Sequence, residues 1–363
     1  MNGKLLKNGV SLFAGDNRMC IWAAYTGTRP AAEIVHKMIW RSYGIWGGYF
    51  SGMVSNDNGK LYYGKTAGDN RVWDEKFKVT DFPGNVALFH SRTPSEDDGE
   101  WAHPFGTDLV QVANQGCSGV FSQYAANYSK LAAEMLDAGY TFRSATTRHA
   151  EFDWQAKLPD GRPVHGNEIV AYAADKIYRE TGDVRAALRG SFGRCPGEAV
   201  GLAVFANEPG TIYICNINQR VVLAHEEGGI ALSTVRASFA DPAAGDIIEI
   251  PCNTLAEIKA DGSIRMEKFI PDLTVCRKVP ANFREEAIKW WTGKKATEID
   301  TYWNEFLAKF WPAVPEVPDA RAIMAYRVLD ELLISGKLEQ EIIEVKGLFT
   351  SDHCSRTVFN WKD

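Results

Sequence analysis

Four side chains or short runs in this sequence can take part in acyl-transfer chemistry: Cys20, Arg92, His103 and the pair Gln115-Gly116. Cys20 sits in Met19-Cys20-Ile21-Trp22, directly after an internal methionine. If the chain is cut or started there, the cysteine carries a free α-amine with a pKa of roughly 7.7–8.0, neutral often enough near pH 7 to take the thiol proton. If the chain stays intact, that nitrogen is an amide and no base, and a buried structural cysteine is the plain alternative. Arg92 closes His90-Ser91-Arg92 at the end of a strand-like run, where a guanidinium can hold a carboxylate through two parallel hydrogen bonds. Taken alone it is an ordinary ion-pair former. The turn Asn114-Gln115-Gly116 can aim a side-chain amide and a backbone N–H at a developing oxyanion. His103, in Ala102-His103-Pro104-Phe105, falls between these two segments; alone it reads as a packed loop residue.

The elements that must position these groups follow from periodicity. CIWAAY, from Cys20 to Tyr25, reads as a buried strand, followed by a helix after Pro30 with Ile34, Val35, Met38 and Ile39 on one face. GIWGGYFSGMV and LYYGKTA flank the turn Asn56-Asp57-Asn58-Gly59 and form a predicted hairpin. NVALFHSRT and LVQVANQG are strands joined by a polar loop. Helices follow over about 120–138, after Asn167 as a candidate cap, and over 183–189. AVGLAVFAN, TIYICNI, IALST and DIIEIP are strand-like, and LAEIKADGSI turns on Asp261-Gly262. Strands, then helices, then strands predict a layered α+β domain with two facing sheets. Beyond about Val275 the sequence predicts a helical, tryptophan-rich stretch over 283–310, a proline-containing linker and a helix from Ala320 to Leu333. A winged-helix-like module can be written on this tail, but without a basic stripe docking or dimerisation is its expected use.

Bulk properties narrow the class. Of the 363 residues 45% are hydrophobic and 24% charged, a globular composition, and the net charge of −6 gives no pull towards nucleic acid or an anionic membrane. Seven cysteines without CxxC spacing fit reduced thiols, and seven histidines without ligand spacing give no reason to invoke a metal or cofactor. Residues 1–19 lack the apolar run of a secretory signal, and no stretch of 18 apolar residues occurs. A cytoplasmic protein is expected.

The order of the motifs resembles the glutaminase domain of class II glutamine amidotransferases, which are N-terminal-nucleophile hydrolases. That family opens on a cysteine exposed by processing, matched by Cys20. Its H-[TS]-R strand end is matched by His90-Ser91-Arg92, its A-H-P loop by Ala102-His103-Pro104, and its H-N-G strand end loosely by Asn114-Gln115-Gly116. Downstream, GLAVFANEPGTIYICN, GGIALSTVRASF and DIIEIPCNTLAEIKADG are similar to the family's second sheet. The resemblance implies a four-layer α/β/β/α sandwich over residues 20–275, preceded by an extension or propeptide at 1–19 and followed by a mainly helical appendage at 276–363. It implies that Cys20 is the nucleophile, that Gln115 and Gly116 form the oxyanion hole, and that Arg92 and His103 lie on the substrate side. Glutamine or a related amide would be cleaved through a thioester. The ammonia would pass to an acceptor on a separate synthetase subunit, and a homo-oligomer fits the same reading.

This sequence departs from the family pattern at several places. Ile21 stands where glycine follows the cysteine, Thr93 where a tryptophan closes over glutamine, and Gln115 where asparagine is usual. The aspartate that grips the substrate α-ammonium falls on threonine in Ser144-Ala145-Thr146-Thr147, or on glycine if the match is set on Val164-His165-Gly166-Asn167-Glu168 with 145–165 as an insertion, leaving Asp153 or Glu168 as stand-ins. Losing one charge-assisted contact costs roughly 1.5–3 kcal/mol. A catalytically impaired binding or regulatory subunit, or an N-terminal-cysteine hydrolase of another amide, are therefore the alternatives. Cys117 is a competing nucleophile only in name, because the elbow of triad-type amidotransferases needs glycine where Gln115 stands.

Overall fold

The computed structural model describes residues 20–43, 45, 47–93, 99–116, 122–147, 156–195, 199–273, 278–312, 321–346 and 353–363. In chain order the first half runs β1 (Ile21–Gly27), α1 (Ala31–Arg41), β2 (Phe50–Asp57), β3 (Lys60–Ala67), α2 (Asn70–Lys76), β4 (Val86–Arg92), β5 (Phe105–Gly106), β6 (Val110–Gly116), α3 (Ser122–Asp137), α4 (Gly166–Thr181) and α5 (Val184–Ser191). Then come β7 (Ala199–Phe205), β8 (Thr211–Asn216), β9 (Val222–Glu226), β10 (Gly229–Ser233), β11 (Ile248–Glu249), β12 (Thr254–Lys259) and β13 (Ile264–Lys268). The tail holds α6 (Phe283–Trp291), β14 (Thr297–Glu298), α7 (Ile299–Thr301), a π-helical turn over Tyr302–Leu307, α8 (Ala308–Phe310), α9 (Arg321–Ile334), β15 (Leu338–Lys346) and β16 (His353–Trp361).

Two antiparallel sheets face each other, one in the order β11-β9-β10-β1-β4-β2-β3 and the other β13-β12-β8-β7-β6-β5. Side chains alternate across a strand, so each strand serves two cores. From β1, Trp22 and Ala24 join Val86 and Leu88 of β4, Val200, Leu202 and the rest of an apolar layer between the sheets. Ile21, Ala23 and Tyr25 point the other way, into a core with α1. Val110 and Val112 of β6 likewise face α3, α4 and α5. Strands buried on both faces read as unbroken apolar runs, which is why CIWAAY and AVGLAVF look as they do. The result is the α/β/β/α layering expected from the sequence. The β2–β3 turn puts Asn58 and Gly59 at φ of 49° and 95°, the left-handed pair that a two-residue hairpin turn requires.

The tail adds to the outer layer. Trp291, Tyr302, Phe306, Tyr326 and Leu329 share one core with α1 and the outer face of the first sheet, so the tail and this domain are packed through common apolar contacts. Its helix–strand–helix–helix–strand–strand order, with β14 pairing β16 and β15 outermost, is the arrangement of a winged helix. The expected continuous helix over 283–310 is broken: α6 ends at Trp291, Gly293 has φ of 75°, and Thr297–Glu298 pairs with β16. β9 was not among the predicted strands, nor was the long β15–β16 pair; β15 alternates charge with apolar residues and sits at a sheet edge. The helix predicted to be capped by Asn167 begins two residues earlier, at Gly166, and the cap is His165, whose Nδ1 accepts from the Asn167 N–H at 3.1 Å.

A buried ion pair fastens α9 to the first sheet. The Arg220 and Asp330 side chains are 5% and 3% exposed and are hydrogen-bonded, and the Arg236 N–H donates to both Asp330 oxygens at 3.1 and 2.9 Å. Removing one member of such a pair strands the other charge, at a cost of about 3–5 kcal/mol. Urea denaturation of Asp330→Ala is expected to show a loss of that size, while a change below about 1 kcal/mol would mean that the pair does not hold the seam.

Candidate functional site

Cys20 stands one residue ahead of β1. That strand pairs with β4 in the register Ile21↔Ser91 and Trp22↔His90, which continues to set Cys20 opposite Arg92. Trp22 and Ala24 on β1, and Val86 and Leu88 on β4, point between the sheets. By the two-residue period Cys20, His90 and Arg92 belong to that same face. Thiol and guanidinium therefore lie side by side at the end of the layer between the sheets. Cys20 is 6% exposed, and its carbonyl accepts from the Tyr326 hydroxyl at 3.5 Å. Burial pushes the thiol up; the Arg92 charge and hydrogen bonds from the Thr93 backbone and side chain work against that rise without cancelling it.

Arg92 is half-buried. Its Nη1–H donates to the Trp101 carbonyl at 3.0 Å, and its guanidinium lies 5.5 Å from the Phe50 ring centre and 5.8 Å from that of Trp101. Two aromatic faces hold the planar group while leaving it its charge, the arrangement of a cation–π clamp. Thr93, where the family pattern has tryptophan, is turned towards the Cys20 sulfur, and an indole against Arg92 is supplied by Trp101.

Behind this pair lies a circuit of hydrogen bonds among four buried residues, closed through the backbone carbonyl of Asn114. His90 Nε2 is 3.1 Å from the Asn114 carbonyl oxygen, which can only accept, so His90 donates there. A neutral His90 must then accept at Nδ1, from the Nδ1–H of His103 at 2.8 Å. His103 in turn accepts at Nε2 from the side-chain amide of Asn167, and the Asn167 oxygen accepts from the Asn114 amide at 2.9 Å. This tautomer set satisfies every link with all rings neutral. Burial, then the Arg92 charge, push the His90 pKa down to about 3. Burial and the neighbouring cationic groups hold His103 and His165 well below the usual histidine range. His165 stacks on Phe105 at 4.4 Å and meets Trp101 edge-on at 5.2 Å, joining the circuit to the wall of Arg92.

The circuit fixes β6, because Asn114 immediately precedes Gln115. Gln115 and Gly116 pair with Val200 and Ala199 of β7, ending β6 beside the strand that carries Arg92. His103 is 2% exposed with both ring nitrogens engaged, and it links His90 of β4 to Asn167 of α4. Glu168 is 1% exposed and accepts from the Arg143 and Ser144 N–H groups, the Ser144 hydroxyl and the Tyr172 hydroxyl, at 2.6–3.0 Å. Its four bonds anchor the 143–144 segment and take up the carboxylate, so it is not the stand-in for the missing aspartate. Asp153 and Cys117 lie outside the described residues. Among the described residues no cluster of His, Cys, Asp or Glu is arranged to hold a metal ion. Asn114, Asn167 and Trp101 were not singled out as site residues from the sequence, although Asn114 stands in the Asn-Gln-Gly turn itself.

No family model matches the chain. Among curated proteins it is similar to glutamine–fructose-6-phosphate aminotransferase (isomerizing) of Pyrococcus horikoshii, 24% identical over 227 residues, 61% of this chain and 33% of that protein. The same enzyme of Thermococcus kodakarensis is 26% identical over 216 residues, covering 58% and 31%. The chain thus spans about a third of the length of these relatives. Among solved structures, glutamine phosphoribosylpyrophosphate amidotransferase from B. subtilis, complexed with ADP and GMP, superposes with a TM-score of 0.54 at 14% identity, over 89% of this chain and 66% of that one. A structure described as the allosteric regulatory enzyme of purine biosynthesis gives 0.54 at 15% identity, with the same coverage. The chain has the fold of glutamine phosphoribosylpyrophosphate amidotransferase, and the two curated relatives are glutamine–fructose-6-phosphate aminotransferases. Among the described residues no helix is long and apolar enough to cross a membrane.

The buried imidazoles set a pH dependence. In the unfolded chain each histidine titrates near 6.5, whereas in the fold His90 stays neutral to about 3. Above about pH 6.5 both states are neutral and nothing is lost; below it the unfolded state binds protons that the folded state refuses. Each refused proton costs about 1.4 kcal/mol per pH unit. Denaturation midpoints are expected to be flat from pH 8 to 7 and to fall from pH 6.5 to 5. His103→Asn is expected to be less stable at pH 7.5 but to fall less steeply; a wild-type profile flat to pH 5 would contradict the neutral circuit.

Proposed function

We propose that the chain hydrolyses the side-chain amide of glutamine, with Cys20 as nucleophile. The observation that carries the reading is the pairing of β1 with β4, which sets Cys20 against Arg92 on the face where β6 ends. With Cys20 at the N-terminus, its α-amine takes the thiol proton and the thiolate attacks the amide carbon. The Gln115 side-chain amide and the Gly116 N–H receive the oxyanion, and Arg92 receives the substrate α-carboxylate. The protonated amine returns its proton to the departing nitrogen, releasing ammonia and leaving a γ-glutamyl thioester. Water then attacks the thioester, yielding glutamate and the free thiol.

The reading requires an open bond before Cys20. Translation from Met19 followed by methionine removal, or self-cleavage of residues 1–19 as a propeptide, would each supply it. Residues 20–275 form the amidotransferase unit in this reading, 276–363 its appended module, and the ammonia goes to an acceptor on a separate protein in the cytoplasm. A second reading, hydrolysis of a different amide by the same cysteine, is favoured by one observation. Glu168 is fully engaged in holding 143–144, so the substrate α-ammonium lacks the expected partner there.

Glutamate release from glutamine by a verified Cys20-started chain tests the proposal. Cys20→Ala is expected to abolish release, and the full chain with residues 1–19 attached to be slower by roughly 10²–10⁴ for want of the amine base. Arg92→Ala is expected to raise KM for glutamine about ten- to a hundredfold, the worth of a charge-assisted contact. Release that persists in Cys20→Ala would overturn the reading, and Cys20-dependent release confined to other amides of a substrate panel would favour the second.

A further inference from the structure

Arg92 is held from one side by a segment that the tail in turn holds. Gly47 and Gly48 run between β4 and β16 with φ of +96° and +80°. A Cβ on Gly47 would lie 2.6 Å from the Ser91 carbonyl oxygen, and one on Gly48 would lie 2.0 Å from that of Ser355, so the segment is pressed flat between the two strands. The Gly48 N–H donates to Ser91 Oγ at 2.9 Å and the Tyr49 N–H to the Arg92 carbonyl at 3.1 Å. Phe50, the next residue, pairs with Arg92 and lays its ring against the guanidinium.

The opposite side of the segment belongs to β16. The Ser355 N–H donates to the Gly48 carbonyl at 3.1 Å, and its hydroxyl donates to Asp69 Oδ2 at 2.6 Å while accepting from the Tyr43 hydroxyl. Ser355 and Asp69 are fully buried. Burial works to raise the Asp69 carboxyl, and hydrogen bonds from Arg71, Ser355 and Tyr43 more than offset it, so the group is a fixed anion. Asp69 also caps α2 and takes the His353 carbonyl with its own N–H. A buried charge bonded on several sides tolerates little movement, so Ser355 is set from below and passes that setting to Gly48.

We propose that Ser355, on the last strand of the tail, is a positioning residue for Arg92, acting through Gly48 and Tyr49 on the backbone and flanking ring of the carboxylate clamp. The inference rests on the glutaminase reading for the identity of the ligand, a γ-amide amino acid with a free α-carboxylate. It makes the appended module part of the support of the substrate side of the site.

The test compares glutamine with 4-aminobutanamide, the same amide without the α-carboxylate, in Cys20-started protein. Ser355→Ala is expected to raise KM for glutamine about tenfold or more, the scale of a clamp moved by a fraction of an ångström, with kcat little changed. Hydrolysis of 4-aminobutanamide is expected to stay at its wild-type level, which a general loss of structure would not allow. Tyr43→Phe removes one hydroxyl from the same circuit and is expected to shift KM in the same direction by less; it carries the test if Ser355→Ala fails to fold. Equal losses on both amides, or an unchanged KM for glutamine in both variants, overturns the proposal. Calorimetric binding of glutamate to Cys20→Ala separates the two readings. If that binding weakens when Ser355→Ala is added while the wild type shows no Cys20-dependent hydrolysis, the glutaminase reading falls and the positioning role stands.

Discussion

The circuit of Asn114, Asn167, His103 and His90 is the constraint on which the arrangement of this site depends. It joins β4, the loop before β5, β6 and α4, and two of those strands come from different sheets. Apolar packing between the sheets would allow them to slide, because dispersion and hydrophobic contact have little directional preference. A hydrogen bond buried in low dielectric does have one, and leaving any member unpaired costs about 1–3 kcal/mol. The circuit thereby ties β6 to β4 at Asn114 and His90, one residue from Gln115 and two from Arg92.

The tail shows how a familiar arrangement of elements can be put to a different use. In a winged helix that binds DNA, the helix in the place of α9 lies in the major groove. Here Arg321, Ala322, Ala325, Tyr326, Val328 and Leu329 of α9 are buried, Asp330 is paired with Arg220, and Arg327 bonds Glu249. The outer wing strand offers Glu339, Glu341 and Glu344, which a phosphate backbone would repel. The helix is spent on the first sheet, where Tyr326 reaches the Cys20 carbonyl, and β16 is spent on the segment against Arg92.

Layering was legible in the sequence because it depends on period and composition alone. CIWAAY and AVGLAVF announce strands covered on both faces, and the stripe of Ile34, Val35, Met38 and Ile39 announces the helix over them. The strand ends carrying Arg92 and Gln115-Gly116 were legible as ordered motifs. The roles of the residues between them were not, since a hydrogen-bond partner 53 or 64 positions away leaves no local signature. Asn167 reads as a cap because asparagine is a favoured capping residue; His165, two residues earlier, takes that task and frees it for the circuit. His103 alone reads as a packed loop residue and is placed on the substrate side only by the resemblance; in the structure both its ring nitrogens belong to the circuit. The three-stranded tail sheet escaped notice because β14 is two residues long and β15 is dense in charge.

The electrostatics of Cys20 explain why the bond before it matters so much. In the full chain three influences act on the thiol: burial, which opposes the thiolate, and Arg92 and Thr93, which favour it. The sum leaves the thiol above its ordinary value, so the resting group is protonated near neutral pH. In the proposed reaction the Arg92 contribution is not constant, because a substrate carboxylate bound to the guanidinium neutralises the charge that Cys20 senses. Binding would therefore make the thiol a weaker acid at the moment when its nucleophile is needed. Thr93 alone offers neutral hydrogen bonds, each roughly half the strength of a charge-assisted one. A base that acts on the sulfur independently of Arg92 is what the arrangement lacks while an amide occupies the Cys20 nitrogen, and a free α-amine at that position would supply it.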